Sequence, residues 1–325
     1  MSDVVVREYI SKYRNDLMAF AIISIMIGHL RHWGLMDFGD FAFLASLGSV
    51  GVEIFLFVSG FGLFCGFTHN NSLLRYFKRR FLRIIPTYIV IMVSIDVITR
   101  NFSYIINPRI WYMHFLSNWF IPFILIMYVV FPILYILQKR WIYLPFIISC
   151  ILTVVLTIFL QINGEGDIQD VPMLMAQRIP IFVLGMLIAD NRVKFNFKHV
   201  KLIVLIILIS LYVIVWLFGV EYLKYILFLP FSFFLVLYIT NILDKYFRDN
   251  SSIRHNIISS HTLEIYLIHM FLMPKMLKYN FDPYLTLIIV FGGSILYAII
   301  IKKIVDFIEK IIYNSNNDPH HIRGN

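Results

Sequence analysis

Charge is what this chain has least of. Only 14% of its 325 residues are Asp, Glu, Lys or Arg, against roughly 25% in soluble domains. With 60% hydrophobic residues and a mean hydropathy of +0.79, an ordinary soluble domain is excluded and a membrane protein is expected. Cysteine is nearly absent too. Cys65 and Cys150 are the only two, each inside an apolar run, which argues against a disulfide framework or a cysteine metal site. Segments of alternating polarity, the mark of a membrane β-barrel, are missing, whereas the run from Leu202 to Phe218 is apolar all round and fits a helix. The first apolar run starts near Leu17, carries His29 and is followed by no small-residue cleavage pattern, so a retained first helix is expected instead of a signal peptide.

What is present is a series of long apolar runs. They fall at 17–34, 42–67, 84–99, 119–137, 141–162, 172–190, 200–218, 222–243, 257–274 and 284–308, so the fold class is all-α, a single bundle of about ten transmembrane helices. The organisation expected is a cytoplasmic leader over 1–12, one transmembrane domain over 13–310 and a disordered tail over 311–325, with no room for a large soluble domain. The segment 100–118, aromatic and carrying Pro108, suits an interfacial loop or a short half-buried helix. Pro86 fits the first turn of the third run, and Gly60, Gly62, Gly292 and Gly293 are candidate kink positions. The net charge of +9 does not point to nucleic acid. Twenty-one basic residues fall on one side of this topology and six on the other, with Arg178 inside a helix, so the bias reports orientation and places both termini in the cytoplasm.

Ionisable groups at membrane depth are functional candidates, because each costs at least ~2.5 kcal/mol at a helix centre. Four qualify: His29, Glu53, Arg178 and His269. Counted from the cytoplasmic end of each run at ~1.5 Å per residue, all four lie roughly 18 to 21 Å deep, in one layer. A carboxylate beside an imidazole fixes its tautomer and raises its basicity, as a general base acting on a hydroxyl requires. Glu53 is paired with His29 in preference to Arg178, because a short connection makes the first two helices neighbours. His269 is a competing base, accompanied by Tyr266 and by Glu264, which falls nearer the cytoplasm and can serve a second layer or pair with a basic neighbour. No His-x-x-His or Glu-x-x-His spacing links His29, His269 and Glu53, so no metal site is assigned. At the cytoplasmic surface Lys78, Arg79, Arg80 and Arg83 cluster before Pro86. They set topology and attract anionic lipid, and arginines grouped on one helix face can also grip the phosphates of a cytosolic ligand.

Several segments, in order, resemble the acyltransferase-3 family of integral-membrane acyltransferases, in its stand-alone form without a soluble domain. They are YRNDLMAFAIISIMIGH ending at His29, GVEIFLFVSGFGL from Gly51, RRFLRIIPTY from Arg79, NWFIPFILIMYVVFPILY from Asn118, RIPIFVLGMLI from Arg178 and TLEIYLIH ending at His269. The resemblance covers about 13 to 305. It implies that His29 is catalytic and that Arg79, Arg80 and Arg83 bind the acyl donor. Many members carry a basic residue eleven positions before the histidine, where this chain has Met18; Arg14, one helical turn earlier, is the nearest arginine and shares that face. Asp16 stands one place after the position where an aspartate is often found.

The resemblance implies an O-acyltransferase, most specifically an O-acetyltransferase of the bacterial cytoplasmic membrane. Acetyl-CoA would serve as donor, with no permanently bound cofactor. The acceptor would be a hydroxyl on a surface polysaccharide or its lipid-linked precursor, and the partners are these two and membrane lipid. Either His29 removes the hydroxyl proton while Glu53 orients its ring, or His29 is itself acylated and relays the group. Ser59 or Arg178 is a candidate to stabilise the tetrahedral oxyanion. A transporter or flippase for a glycan or anionic substrate is the rival reading, since buried His, Glu and Arg also relay protons or bind anions, but no inverted repeat or matched pair of broken helices supports it.

Overall fold

Helix fills most of each of the ten apolar runs in the computed structural model. The model describes residues 6–39, 42, 45, 47–70, 72–100, 107, 109, 119–163, 170–194, 202–217, 221–247, 257–279 and 281–315. Among these residues there is no strand. Six stretches are long and apolar enough to cross a membrane: Val50–His69, Leu73–Thr99, Phe120–Arg140, Leu144–Ile162, Val171–Ala189 and Pro283–Ile308. The helix bearing His29, with Arg14, Asp16 and Arg31 near its ends, and the 16-residue helix Leu202–Leu217 are not among them. Most of the segment 100–118 and the tail over 316–325 lie outside the described residues, and helix continues into the expected tail as far as Ser315.

The chain divides into two units. The first, Met1–Leu73 and Asn118–Ser260, holds α1 (Val6–Lys12), α2 (Arg14–His32), a 3-10 turn (Leu47–Ser49), α3 (Val50–His69), α5 (Phe120–Arg140), α6 (Leu144–Asn163), α7 (Asp170–Gln177), α8 (Ile179–Ala189), α9 (Leu202–Leu217), α10 (Glu221–Phe247) and α11 (Ile257–Ser260). Small residues let three of its helices approach closely. A Cβ on Gly48 or Gly51 would overlap the carbonyl oxygens of Ser24 and Ala21, which fixes α3 antiparallel to α2. Likewise a Cβ on Gly60 would overlap the Phe182 carbonyl and one on Gly185 the Phe57 carbonyl, so α3 and α8 run parallel, backbone against backbone. In lipid, where burying apolar surface gives no advantage between helices, such close packing is a principal source of association. Gly60 therefore serves contact with α8, and α3 continues through it unbroken.

The span holding α7 and α8 is broken where the sequence requires it. Pro180 has no N–H to give to the carbonyl of Ala176, four residues back. Thr153 on α6 takes up that carbonyl, its hydroxyl donating to Ala176 O at 2.7 Å. At the far end of α8, Arg192 donates to the Gln138 and Lys139 carbonyls at 2.7 and 3.0 Å, capping α5. Its guanidinium also clasps Asp190. Burial alone would raise the Asp190 carboxyl, but these Arg192 bonds outweigh it and hold the group below the usual carboxylate range. Near the chain's start, Lys12 and Tyr13 both donate to Asp244 on α10 at 2.8 Å.

The second unit, Leu74–Ser117 and His261–Asn325, takes in α4 (Leu73–Thr99), α12 (Thr262–Tyr279), α13 (Pro283–Leu287), a π-helical stretch (Ile288–Gly293) and α14 (Ser294–Ser315). Expecting Pro86 in a first turn is corrected: α4 begins at Leu73 and Pro86 lies inside it. Lys78, Arg79, Arg80 and Arg83 are good helix formers, so the basic segment extends the apolar helix instead of ending it. Asp282 caps α13 by accepting from the Tyr284 and Leu285 amides, with Pro283 at the first position. The expected irregularity at Gly292 and Gly293 takes the form of the π-helical stretch.

Candidate active site

Glu53 and Arg178 are an ion pair. The guanidinium Nε lies 3.3 Å from the carboxylate, and both side chains are 3% exposed. The sequence favoured His29 as the partner of Glu53; the structure places Glu53 on Arg178 because the glycine contacts draw the first turns of α3 and α8 together. Arg178 stands at the N-terminal boundary of α8, at the break, donates to the Leu174 carbonyl at 3.1 Å and sits 4.8 Å from the Trp119 ring centre. Each of these contacts restrains the charge while leaving it within low-dielectric surroundings, where it acts strongly on any nearby negative charge.

Within the single layer expected for the ionisable groups, the equal depth of His29 and Glu53 is corrected. Gly48 packs on Ser24 and Gly28, Gly51 on Ala21, and the Arg14 guanidinium lies over Gly62, so Glu53 stands opposite the middle of α2. His29 lies further along, with a backbone offset of roughly 10 Å by helical rise. The equal-depth reckoning failed because α3 continues well past the level of Leu17, where apolar run ends had been taken as equal. Helical side chains tilt toward their own N-termini, and in antiparallel helices that tilt shortens the offset between Glu53 and His29 along the helix axes. His29 is half-buried, unlike the enclosed ion pair. Arg14 is exposed, Asp16 and Ser59 are half-buried, and Ser59 directly precedes the Gly60 crossing.

The second unit gathers the other candidates. Arg83 grips Glu264 with both terminal nitrogens, at 2.7 and 3.0 Å, and Glu264 is fully buried. Its pairing with a basic neighbour, one of the two roles open to it, is thus what the fold uses. Arg83 stays 35% exposed at its side chain, and a guanidinium has N–H groups beyond the two so engaged. Arg79 is exposed and Arg80 half-buried on the same helix. His269 is fully buried, its Nδ1 2.9 Å from the Ile265 carbonyl. A carbonyl only accepts, so Nδ1 carries the proton and, in the neutral ring, Nε2 carries the lone pair. The Tyr266 ring packs edge-on at 5.6 Å. Among the described residues no group of three or more His, Cys, Asp or Glu is arranged to hold a metal.

Comparison with protein families decides what these residues belong to. The model of the family Acyl_transf_3, described as an acyltransferase domain, matches residues 17–303, most of the chain. The chain belongs to the acyltransferase-3 family. No curated protein and no solved structure gives a significant match. The protein is therefore a membrane acyltransferase, and the matched region includes His29, Glu53, the α4 arginines, Arg178 and His269 while leaving Arg14 and Asp16 just outside.

Among the polar residues that escaped the sequence reading is Gln177. It lies next to Arg178 and is 6% exposed, and neither end of its amide has a hydrogen-bond partner among the described residues. It carries no charge, so a search for ionisable groups at depth passes over it. The usable signal was local: a polar amide next to an intramembrane arginine and three residues before a proline.

Proposed function

We propose that this acyltransferase is an O-acetyltransferase, moving an acetyl group from cytosolic acetyl-CoA to a hydroxyl of a surface polysaccharide or its lipid-linked precursor, in the bacterial cytoplasmic membrane. The observation that carries the reading is the half-buried His29, the one group of the His29, Glu53 and Arg178 set that is not enclosed by the fold. About ten membrane crossings with both termini cytoplasmic follow from the basic-residue bias, and Arg14 then lies at the cytoplasmic end of α2 with His29 toward the outer face. Arg79 and Arg80 bind the donor's phosphates. Arg83, anchored by Glu264, presents its remaining N–H groups to the same anion.

His29 accepts the proton of the acceptor hydroxyl as its oxygen attacks the thioester carbonyl. The tetrahedral oxyanion collapses, the C–S bond breaks, and the proton on the imidazole passes to the departing thiolate, giving the ester and free CoA. Arg178 supplies fixed positive charge toward the oxyanion, and Glu53 sets that charge in place and favours the imidazolium. No permanently bound cofactor is required.

The test uses protein in lipid nanodiscs with radiolabelled acetyl-CoA and surface polysaccharide of the source cells from which acetyl groups have been removed by mild alkali. Label is expected to enter the polysaccharide with the wild type and not with His29→Ala at equal protein level. Transfer by His29→Ala at the wild-type rate would remove the imidazole from the mechanism.

A further inference from the structure

The break between α7 and α8 holds a polar side chain that no described residue satisfies. Around it the hydrogen bonds are accounted for: the Ala176 carbonyl is taken by Thr153, the Arg178 amide bonds the Met175 carbonyl at 3.1 Å, and its guanidinium bonds Leu174 and faces Glu53. Gln177 lies in the same turn. It is more than nine-tenths buried, and its amide oxygen and nitrogen both lack a partner among the described residues. A buried amide in this state carries a desolvation penalty that no described residue offsets, whereas an apolar residue of the same shape carries none.

We infer that Gln177 binds the acceptor, its amide donating to one saccharide hydroxyl and accepting from another. The chemistry matches: a sugar hydroxyl both donates and accepts, and one amide offers both functions side by side. The position matches as well. Because α3 and α8 run parallel and α2 runs opposite to them, Gln177 falls on the His29 side of the Glu53–Arg178 pair and away from the Arg14 end. The adjacent Arg178 guanidinium is stacked near the half-buried Trp119 ring, so an aromatic face, a fixed charge and a two-way hydrogen-bonding group meet at the break. Such a set recognises a polyhydroxylated ring. The pantetheine arm of the donor also carries amides, and the assay separates the two ligands.

This assignment rests on the acetyltransferase reading, and Gln177→Leu tests it in the nanodisc assay with the same deacetylated polysaccharide. The expected result is an acceptor KM raised about tenfold or more, an acetyl-CoA KM within about twofold of wild type, and thermal stability equal to or above wild type, since the buried amide is gone. An acceptor KM within about twofold overturns the assignment, and so does a rise confined to the acetyl-CoA KM, which would give the amide to the donor. Should the wild type transfer no acetyl group, the reaction itself is wrong, and the inference is read instead by calorimetric titration of the same polysaccharide onto nanodisc-bound protein. There, binding weakened about tenfold in Gln177→Leu upholds it. Equal binding by the two proteins, or no binding by either, overturns it.

Discussion

Removing one member of the Glu53–Arg178 pair should cost far more than removing both. At 3.3 Å and an effective dielectric of 20, the gross Coulomb attraction is about 5 kcal/mol. Most of that offsets the cost of taking two charges out of water, so the net value of the intact pair is small. Glu53→Gln leaves the Arg178 guanidinium buried without its counter-charge, and Arg178→Gln does the same to the carboxylate. Each single change is expected to destabilise the protein by about 3–5 kcal/mol. The double variant Glu53→Gln with Arg178→Gln buries two neutral amides able to bond each other, and should cost less than the two singles together by about 2–3 kcal/mol. Unfolding by SDS in mixed micelles, followed for all four proteins by tryptophan fluorescence, gives the cycle directly. Single variants within about 1 kcal/mol of wild type, or a double variant equal to the sum of its parts, would refute a buried and energetically coupled pair.

Gly185→Ala should separate α3 from α8, because the new methyl meets the Phe57 carbonyl and backbone cannot yield as a flexible side chain can. A loss of about 1–3 kcal/mol or more in the same unfolding assay, together with reduced acyl transfer, is expected; an unchanged protein would show that the helices do not touch through this glycine. Thr153→Val removes the donor to the Ala176 carbonyl and should cost about 1–3 kcal/mol. Adding Pro180→Ala supplies an amide N–H for that carbonyl and should recover part of the loss, and failure of the second change to help would mean the carbonyl is satisfied in another way.

The helices were legible because apolar runs of this length have few other solutions, and membrane depth alone was enough to single out Glu53 and Arg178. Their pairing was weighed but ranked second. The preference for His29 came from chain proximity, whereas the arrangement is governed by Gly60 and Gly185, whose role is visible only when two helices are seen backbone to backbone. Depth was misjudged for a related reason. Apolar composition shows that a segment crosses the membrane, but not at which residue it enters, so α2 and α3 were aligned by their apolar ends when Gly48 and Gly51 align them by contact. The start of α4 was hidden by its charge, since a count of apolar residues begins at 84 while the helix begins at Leu73 in the basic stretch before it. Gln177 was missed because polarity without charge is a weak signal in a run this apolar.

The hydroxyl that Thr153 gives to Ala176 also orders the birth of the protein. Residue 153 leaves the ribosome before residue 176, so when the proline-broken segment enters the membrane its stranded carbonyl finds an anchor already waiting on the preceding helix. A permuted chain that synthesised Leu144–Asn163 last would have to hold the broken segment in lipid with that oxygen bare.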